Sequence, residues 1–304
     1  MQISLIVNPK SGRGKAVKAA HLLDTQLTKR GHRISTLGVE TDHPELQSQI
    51  ADADRVVVLG GDGTVHHLLD ILADTQTSMY HLGTGTANLV CKAFGMSRSV
   101  SRVVEHLEAE IDPVRIDLPT CNGLPFLIMV SIGIDASVIH RFEEARSRKG
   151  GYRAYMQPVL REVISPRPAR FVIESDAHPP AQHAGILVIA NLRAYGGGFN
   201  PCPNANPTDG LLDAVVIPCT SSIGAGISYG LLKARRTSSK MKRFVSDLFQ
   251  VTCTRTPAFV QVDGEKASRV PKLVGGQLKP GDSLDLRMST KPIQIHSPEY
   301  QDFE

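Results

Sequence analysis

VVVLGGDGTVHHLLD, residues 56–70, runs four apolar residues into Gly60-Gly61-Asp62-Gly63-Thr64 and then into a second apolar segment at helical spacing. A strand that leaves through a glycine turn into a helix is half of a βαβ unit. Such turns commonly cradle phosphate, because bare backbone N–H groups point at the anion. This turn carries Asp62 at its centre, and a carboxylate repels phosphate. It therefore calls for a cation between the two, or for a different task.

Outward from that stretch the pattern repeats. ISLIVN (3–8), RISTLGVE (33–40), RVVVLG (55–60) and SMYHLG (78–83) read as buried strands. Between and after them, 15–32, 44–51, 64–73 and 87–95 read as helices. The first sets Ala16, Ala19, Ala20, Leu23 and Leu27 on one face and stops at Gly31, and the last stops at Gly95. This alternation predicts a mostly parallel sheet covered by helices on both faces. Three small-residue loops follow predicted strands: Asn8-Pro9-Lys10-Ser11-Gly12, the 60–64 turn, and Gly83-Thr84-Gly85-Thr86-Ala87-Asn88. In a parallel sheet all three open on the carboxyl edge, where α/β proteins bind ligands. The first resembles a phosphate-binding P-loop only in part, since Gly14-Lys15 is followed by Ala16.

The pattern changes after about residue 112. VRIDLPTCNGLPFLIMVSIG (114–133) reads as two strands joined by an Asn-Gly turn, and helices are expected at 134–147 and 152–165. Short strands then recur at 169–174, 185–191, 211–218, 248–254, 258–264 and 282–288, separated by Pro, Gly and Asn. The expectation is a second, mainly antiparallel β-sandwich domain. The chain's 304 residues suit two ordinary domains. Five widely spaced cysteines argue against a disulfide framework or a zinc ribbon and for a reducing cytoplasm. No apolar run reaches the roughly 18–20 residues of a membrane span. A net charge of +4, with no nucleic-acid motif, gives no reason to expect a nucleic-acid partner. His66 and His67 are adjacent on a helix and point about 100° apart, which excludes a shared zinc ion.

Asn8-Pro9-x-Ser11-Gly12, Gly60-Gly61-Asp62-Gly63-Thr64 and Gly85-Thr86-x-Asn88, in this order, resemble the catalytic domain of diacylglycerol and sphingosine kinases, and most nearly the bacterial soluble lipid kinases. SIGIDASV (131–138), YGGGFNPCPNANPTDGLLD (195–213) and VQVDGE (260–265) extend the resemblance over nearly the whole chain. It implies an ATP-binding domain over 1–114, a lipid-acceptor domain over 115–288, a tail (289–304) returning to the first domain, and an active site in the cleft between them. The implied reaction moves the γ-phosphate of ATP, with Mg²⁺, to a lipid alcohol. Implied nucleotide contacts are Asn8, Ser11, Gly12, Thr41, Gly60, Gly61, Asp62, Gly63, Thr64, Val65, His66, Gly85, Thr86 and Asn88. For Thr41 and Asn88, helix capping accounts equally well for the residue type.

Asp62 would face Mg²⁺–ATP or orient the attacking hydroxyl. Glu265 and Asp263 are the candidate general bases; the resemblance favours Glu265, while the plain alternative is a solvated Asp-Gly turn. The resemblance implies that Asp209 with the carbonyls of Asn206 and Leu211 holds a second, structural Mg²⁺, a hard cation suited to oxygen ligands; the plain alternative is an Asp-Gly hairpin turn with no metal. The basic run 233–244 (Lys233, Arg235, Arg236, Lys240, Lys242, Arg243), beside Leu231, Leu232, Met241 and Phe244, is either a membrane-surface contact or a solvated face. A second lip is placed at 141–155. The expected location is cytoplasmic and peripheral at the membrane, and a homodimer is compatible with the sequence. The chain departs from the family at His67, Leu89 and Met129, where glutamate, aspartate and asparagine are common. NAD kinases share the first loops, and a catalytically weak nucleotide- or lipid-binding regulator would keep the fold. Both alternatives stay open at this point.

Overall fold

The computed structural model describes residues 1–147, 168–196, 199–219 and 241–299. The chain divides into two compact units, residues 1–118 with 289–304, and residues 119–288. The expected helix at 152–165, residues 148–155 of the second lip, and Leu231, Leu232, Lys233, Arg235, Arg236 and Lys240 of the basic run lie outside the described residues.

The first unit is built on strands β1 (Gln2–Val7), β2 (Arg33–Gly38), β3 (Arg55–Gly60), β4 (Ser78–Gly83) and β5 (Val114–Ile116), with helices α1 (Lys15–Lys29), α2 (His43–Ala51), α3 (Asp62–Thr75), α4 (Leu89–Ala93) and α5 (Val100–Glu108). A returning strand, β18 in chain order (Ile293–Ile295), completes a sheet ordered β2-β1-β3-β4-β18-β5. Pairing is parallel from β2 through β18, and only β5 runs antiparallel to its neighbour. The chain steps from β1 to β2 on one side, then passes β1 to reach β3 on the other. Right-handed crossovers therefore put α1 and α2 on opposite faces. The packing agrees: α1 meets α5, and α2 meets α3. Burial of Ala16, Ala20, Leu23 and Leu27 fixes the inner face of α1, each leucine contributing about 2 kcal/mol. Ala19, expected on that face, is only half-buried.

Two elements differ from the sequence expectation. Helix α3 begins at Asp62 instead of Thr64, so the glycine turn is already its first turn. Helix α5 was not anticipated, although Val100, Val103, Val104 and Leu107 have i, i+3, i+4, i+7 spacing, and the last three are buried.

The second unit contains β6 (Pro119–Cys121), β7 (Leu124–Pro125), β8 (Met129–Ile132), helix α6 (Ile134–Ser147), β9 (Ala169–Ser175), β10 (His178–Ala190), β11 (Leu212–Ile217), β12 (Lys242–Ser246), β13 (Leu248–Cys253), β14 (Ala258–Val262), β15 (Glu265–Lys266), β16 (Gln277–Leu278) and β17 (Ser283–Met288). Its sheet runs β15-β14-β8-β10-β9-β13-β17-β6-β7, with β11 and β12 branching from β10 and β16 pairing with β14. All pairs in it are antiparallel. The Asn122-Gly123 turn joins β6 to β7 with both residues at positive φ, 49° and 86°, the conformation a tight hairpin requires. Phe126, Phe171, Phe249, Leu187, Leu284 and Leu286 lie at the centre of its core.

Strand β12 emerges from what the sequence presents as a charge run. Lys242 and Arg243 are exposed, but Phe244 packs against the core and edge-on to His178 and His183. Met241 is buried, and the Arg243 guanidinium donates to the Pro201 carbonyl at 2.9 Å. Met241 is thus buried and Phe244 half-buried against the core beside the two exposed basic residues.

Candidate active site

Strands β1 and β3 are neighbours whose connections leave in opposite directions, which is the switch point at which open α/β sheets bind ligands. The three expected loops meet there. A methyl group added to Gly85 would lie 2.7 Å from the Cα of Gly61, so the second and third loops touch backbone to backbone. The Thr84 N–H donates to the Gly60 carbonyl at 2.7 Å, and the Ser11 and Thr84 hydroxyls are 2.8 Å apart. The Asn8 amide donates to the Thr64 hydroxyl at 3.0 Å. All three loops are therefore cross-linked into one surface.

Asp62 occupies the first turn of α3, and its Oδ1 accepts the N–H of Val90 at 3.0 Å. One carboxylate oxygen thus satisfies an otherwise orphaned donor at the start of α4. This is part of the reason for an acid in a glycine turn. The Asp62 contact to α4 is made through the Val90 backbone, not through the side chain of Leu89.

The expected nucleotide residues separate into classes. Gly12, Ser11, Gly61, Asp62, Gly63, Gly85, Thr86 and His66 retain exposed or half-exposed surface, while Gly60, Thr64 and Asn88 are buried. Thr64 is committed through its hydroxyl to Asn8 and through its N–H to the Gly61 carbonyl at 2.9 Å, so it shapes the turn. Val65 is 1 % exposed; its side chain belongs to the core, and only its backbone borders the turn. Asn88 stands at the N-cap position of α4 with φ 49°, yet its side chain does not cap the helix. It instead accepts from the Gly85 N–H at 2.8 Å and donates to the Gly85 carbonyl at 2.9 Å, holding the third loop closed. Thr41 lies in the turn before α2, whose N-cap is Asp42; capping does not explain it. Beneath the turn, fully buried His81 donates from Nε2 to the Gly60 carbonyl at 3.2 Å. Burial pushes its imidazole below the usual histidine range, only partly opposed by the Asp62 charge. Nothing in the local pattern of SMYHLG marks His81 as a support of the neighbouring loop.

In the second unit, Asp263 and Gly264 form the two-residue turn between β14 and β15, at φ 52° and 84°. The two carboxylates are not equivalent. Asp263 is 5 % exposed and accepts backbone N–H bonds from Leu127 (2.9 Å), Ile128 (2.7 Å) and Met129 (3.0 Å). It is not a solvated turn residue: its three accepted bonds make it a brace that ties the hairpin to the start of β8. Glu265 is exposed at the end of the hairpin. The contact of Met129 with Asp263 is made through its backbone N–H. Behind the turn, Ser131 and Tyr195 (2.7 Å) both donate hydroxyls to Oδ2 of buried Asp135. Burial drives that carboxyl well above its ordinary value despite both bonds.

In the 206–211 loop, Asp209 Oδ1 accepts from the Leu211 N–H at 2.9 Å, and Asn206 Oδ1 from the Thr208 hydroxyl at 2.9 Å. Asp213 lies close by: burial first, then the Asp209 charge, raises its pKa. Asn206, Asp209 and Asp213 give this stretch oxygen donors of the kind a hard cation takes. Among the described residues, no group of three His, Cys, Asp or Glu forms a ready metal cluster. No helix among them is long and apolar enough to cross a membrane.

Residues 2–118 match the diacylglycerol kinase catalytic domain, and residues 128–286 match the YegS C-terminal NAD kinase β-sandwich-like domain. A diacylglycerol kinase of Mycobacterium tuberculosis is 32 % identical over 224 residues, covering 70 % of this chain and 72 % of that protein. A Pseudomonas savastanoi protein named "Probable lipid kinase YegS-like" is 29 % identical over 255 residues, covering 80 % and 75 %. The crystal structure of a diacylglycerol kinase from Bacillus anthracis superposes with a TM-score of 0.68 at 17 % identity, covering 98 % of this chain and 97 % of that one. That likeness shows a shared fold.

Proposed function

This chain belongs to the diacylglycerol kinase catalytic-domain family, and we propose that it transfers the γ-phosphate of ATP to the hydroxyl of a membrane lipid. The observation that carries the reading is the convergence of three small-residue loops at the β1/β3 switch point, with Asp62 at their centre. Phosphoryl transfer depends on positioning and charge neutralisation more than on covalent chemistry. Mg²⁺, when bound, would neutralise phosphate charge beside Asp62, and a second ion would hold the 206–211 loop through Asp209 and the carbonyls of Asn206 and Leu211. In the proposed reaction the lipid oxygen attacks the γ-phosphorus, its proton passes to Glu265, and ADP leaves. Glu265 is preferred to Asp263 because it is the exposed carboxylate of the turn, whereas Asp263 is occupied by three backbone donors. The exposed Lys242 and Arg243 remain as a proposed contact with anionic lipid, at about 1 kcal/mol each.

The test is transfer of label from γ-labelled ATP, with Mg²⁺, to diacylglycerol, monoacylglycerol, sphingosine, ceramide and polyprenol in mixed micelles. NAD serves as the soluble control acceptor. Glu265→Gln is expected to lower kcat by about 100-fold or more while leaving the ATP KM little changed. Asp62→Asn, which retains an acceptor for the Val90 N–H, is expected to fold and lose transfer. Label on NAD alone, or on nothing, would refute the proposal.

A further inference from the structure

We propose that Gln261 is the positioning residue of Glu265, fixing the catalytic hairpin through a buried, directional hydrogen-bond chain anchored at Asp135. This rests on the reading of Glu265 as proton acceptor. The Gly264 N–H, one residue before Glu265, donates to Gln261 Oε1 at 2.7 Å. A backbone N–H can only donate, so the orientation of the amide is set, and its Nε2 must face the other way. It does, donating to Ser131 Oγ at 2.7 Å. Ser131, having received that bond, turns its own proton to Asp135 Oδ2, where Tyr195 also donates. Each of these bonds therefore has one possible direction.

Gln261 and Ser131 are fully buried and Asp135 is 6 % exposed, so water does not substitute for the Gln261–Ser131 and Ser131–Asp135 links. Gln261 also pairs in register with Ser131 across β14–β8 and with Lys266 across β14–β15. Its backbone therefore belongs to the rigid sheet, and its side chain reaches forward to the turn. The Asp263 brace holds the opposite side of the same turn, through the 127–129 backbone. With both supports the hairpin end has one position; with the Asp263 brace alone it can pivot about that residue. A displacement of the order of 1 Å in a reacting group costs about 100-fold in rate.

The experiment compares the full chain with Gln261→Met, which keeps length and loses both bonds, and with Ser131→Ala, which cuts only the anchor. Each is made alone and with Glu265→Gln. Expected for Gln261→Met is a kcat fall of about 10- to 100-fold with the ATP KM within about twofold. Ser131→Ala should show the same signature at smaller size. In the Glu265→Gln background Gln261→Met should cause no further loss, because the residue acts only through Glu265. A full additional loss in that background marks a merely structural role and overturns the proposal. So does a Gln261→Met enzyme within twofold of the parent while Glu265→Gln is inactive. Amide exchange at Gly264 reads the bond without turnover: unchanged protection in Gln261→Met overturns the chain itself. A parent protein that phosphorylates none of the lipids overturns the kinase reading, and the positioning role with it.

Discussion

The sharpest test of the second unit is removal of the Asp263 carboxylate. In Asp263→Ala three backbone donors, Leu127, Ile128 and Met129, lose their acceptor in a site only 5 % exposed. Each buried unsatisfied N–H costs about 1–3 kcal/mol. The three are consecutive and relax together, so the sum is not additive, and a loss of about 3–5 kcal/mol is expected. Alanine adds about 1 kcal/mol for the left-handed conformation at φ 52°. Asp263→Asn behaves differently. Asparagine tolerates that conformation, and its remaining oxygen can keep the bonds from Ile128 and Met129, both of which Oδ1 accepts. Only the Leu127 N–H then faces an NH₂ group, for a loss of about 1.5–3 kcal/mol. The assay is urea unfolding of the full chain read by hydrogen exchange, resolved over residues 127–129 and 261–265. Faster exchange at 127–129 in the order Ala, Asn, parent is expected. An alanine variant less than about 0.5 kcal/mol below the parent, or one no worse than asparagine, refutes the brace.

Two further outcomes follow from the first unit. Gly85→Ala drives a methyl into Gly61 backbone; a loss of about 1–3 kcal/mol and weakened ATP binding by calorimetry are expected, and unchanged ATP affinity would contradict the convergence of the loops. Burial holds His81 and His296 below the ordinary histidine range, so the unfolded chain takes up protons that the native one refuses. Stability should be complete above about pH 6.5 and fall as pH drops through and below it. The slope, measured by urea midpoints against pH, should shrink in His81→Gln.

Much of this was legible in the chain itself. Short apolar runs and period-3.6 patterns placed β1 to β4 and their helices, and a parallel sheet puts the three small-residue loops on one edge. Asn122-Gly123 named its own hairpin. What stayed hidden were contacts between distant residues. Asp62 meets Val90, and Asp263 meets Leu127, Ile128 and Met129, partners that no local period encodes. Asp263 and Glu265 looked alike in VQVDGE because one residue of turn separates a buried carboxylate from an exposed one. Strand β12 was masked by its charges, since an edge strand with one wet face needs only Phe244 and Ser246 turned inward.

Strand β18 lies between β4 and β5, so residues 293–295 are an interior part of the sheet that residue 2 begins. On the ribosome, the first unit emerges with a gap where that strand belongs. Residues 119–288 must be made before the gap closes. At about 5–20 residues per second, the interval is roughly ten to thirty-five seconds. For that time β4 and β5 expose unpaired edges, and the second unit is free to fold as an insertion in an unfinished first one. Synthesis rate and chaperone supply, acting on β4 and β5, therefore bear on how much nucleotide-binding unit reaches its native form.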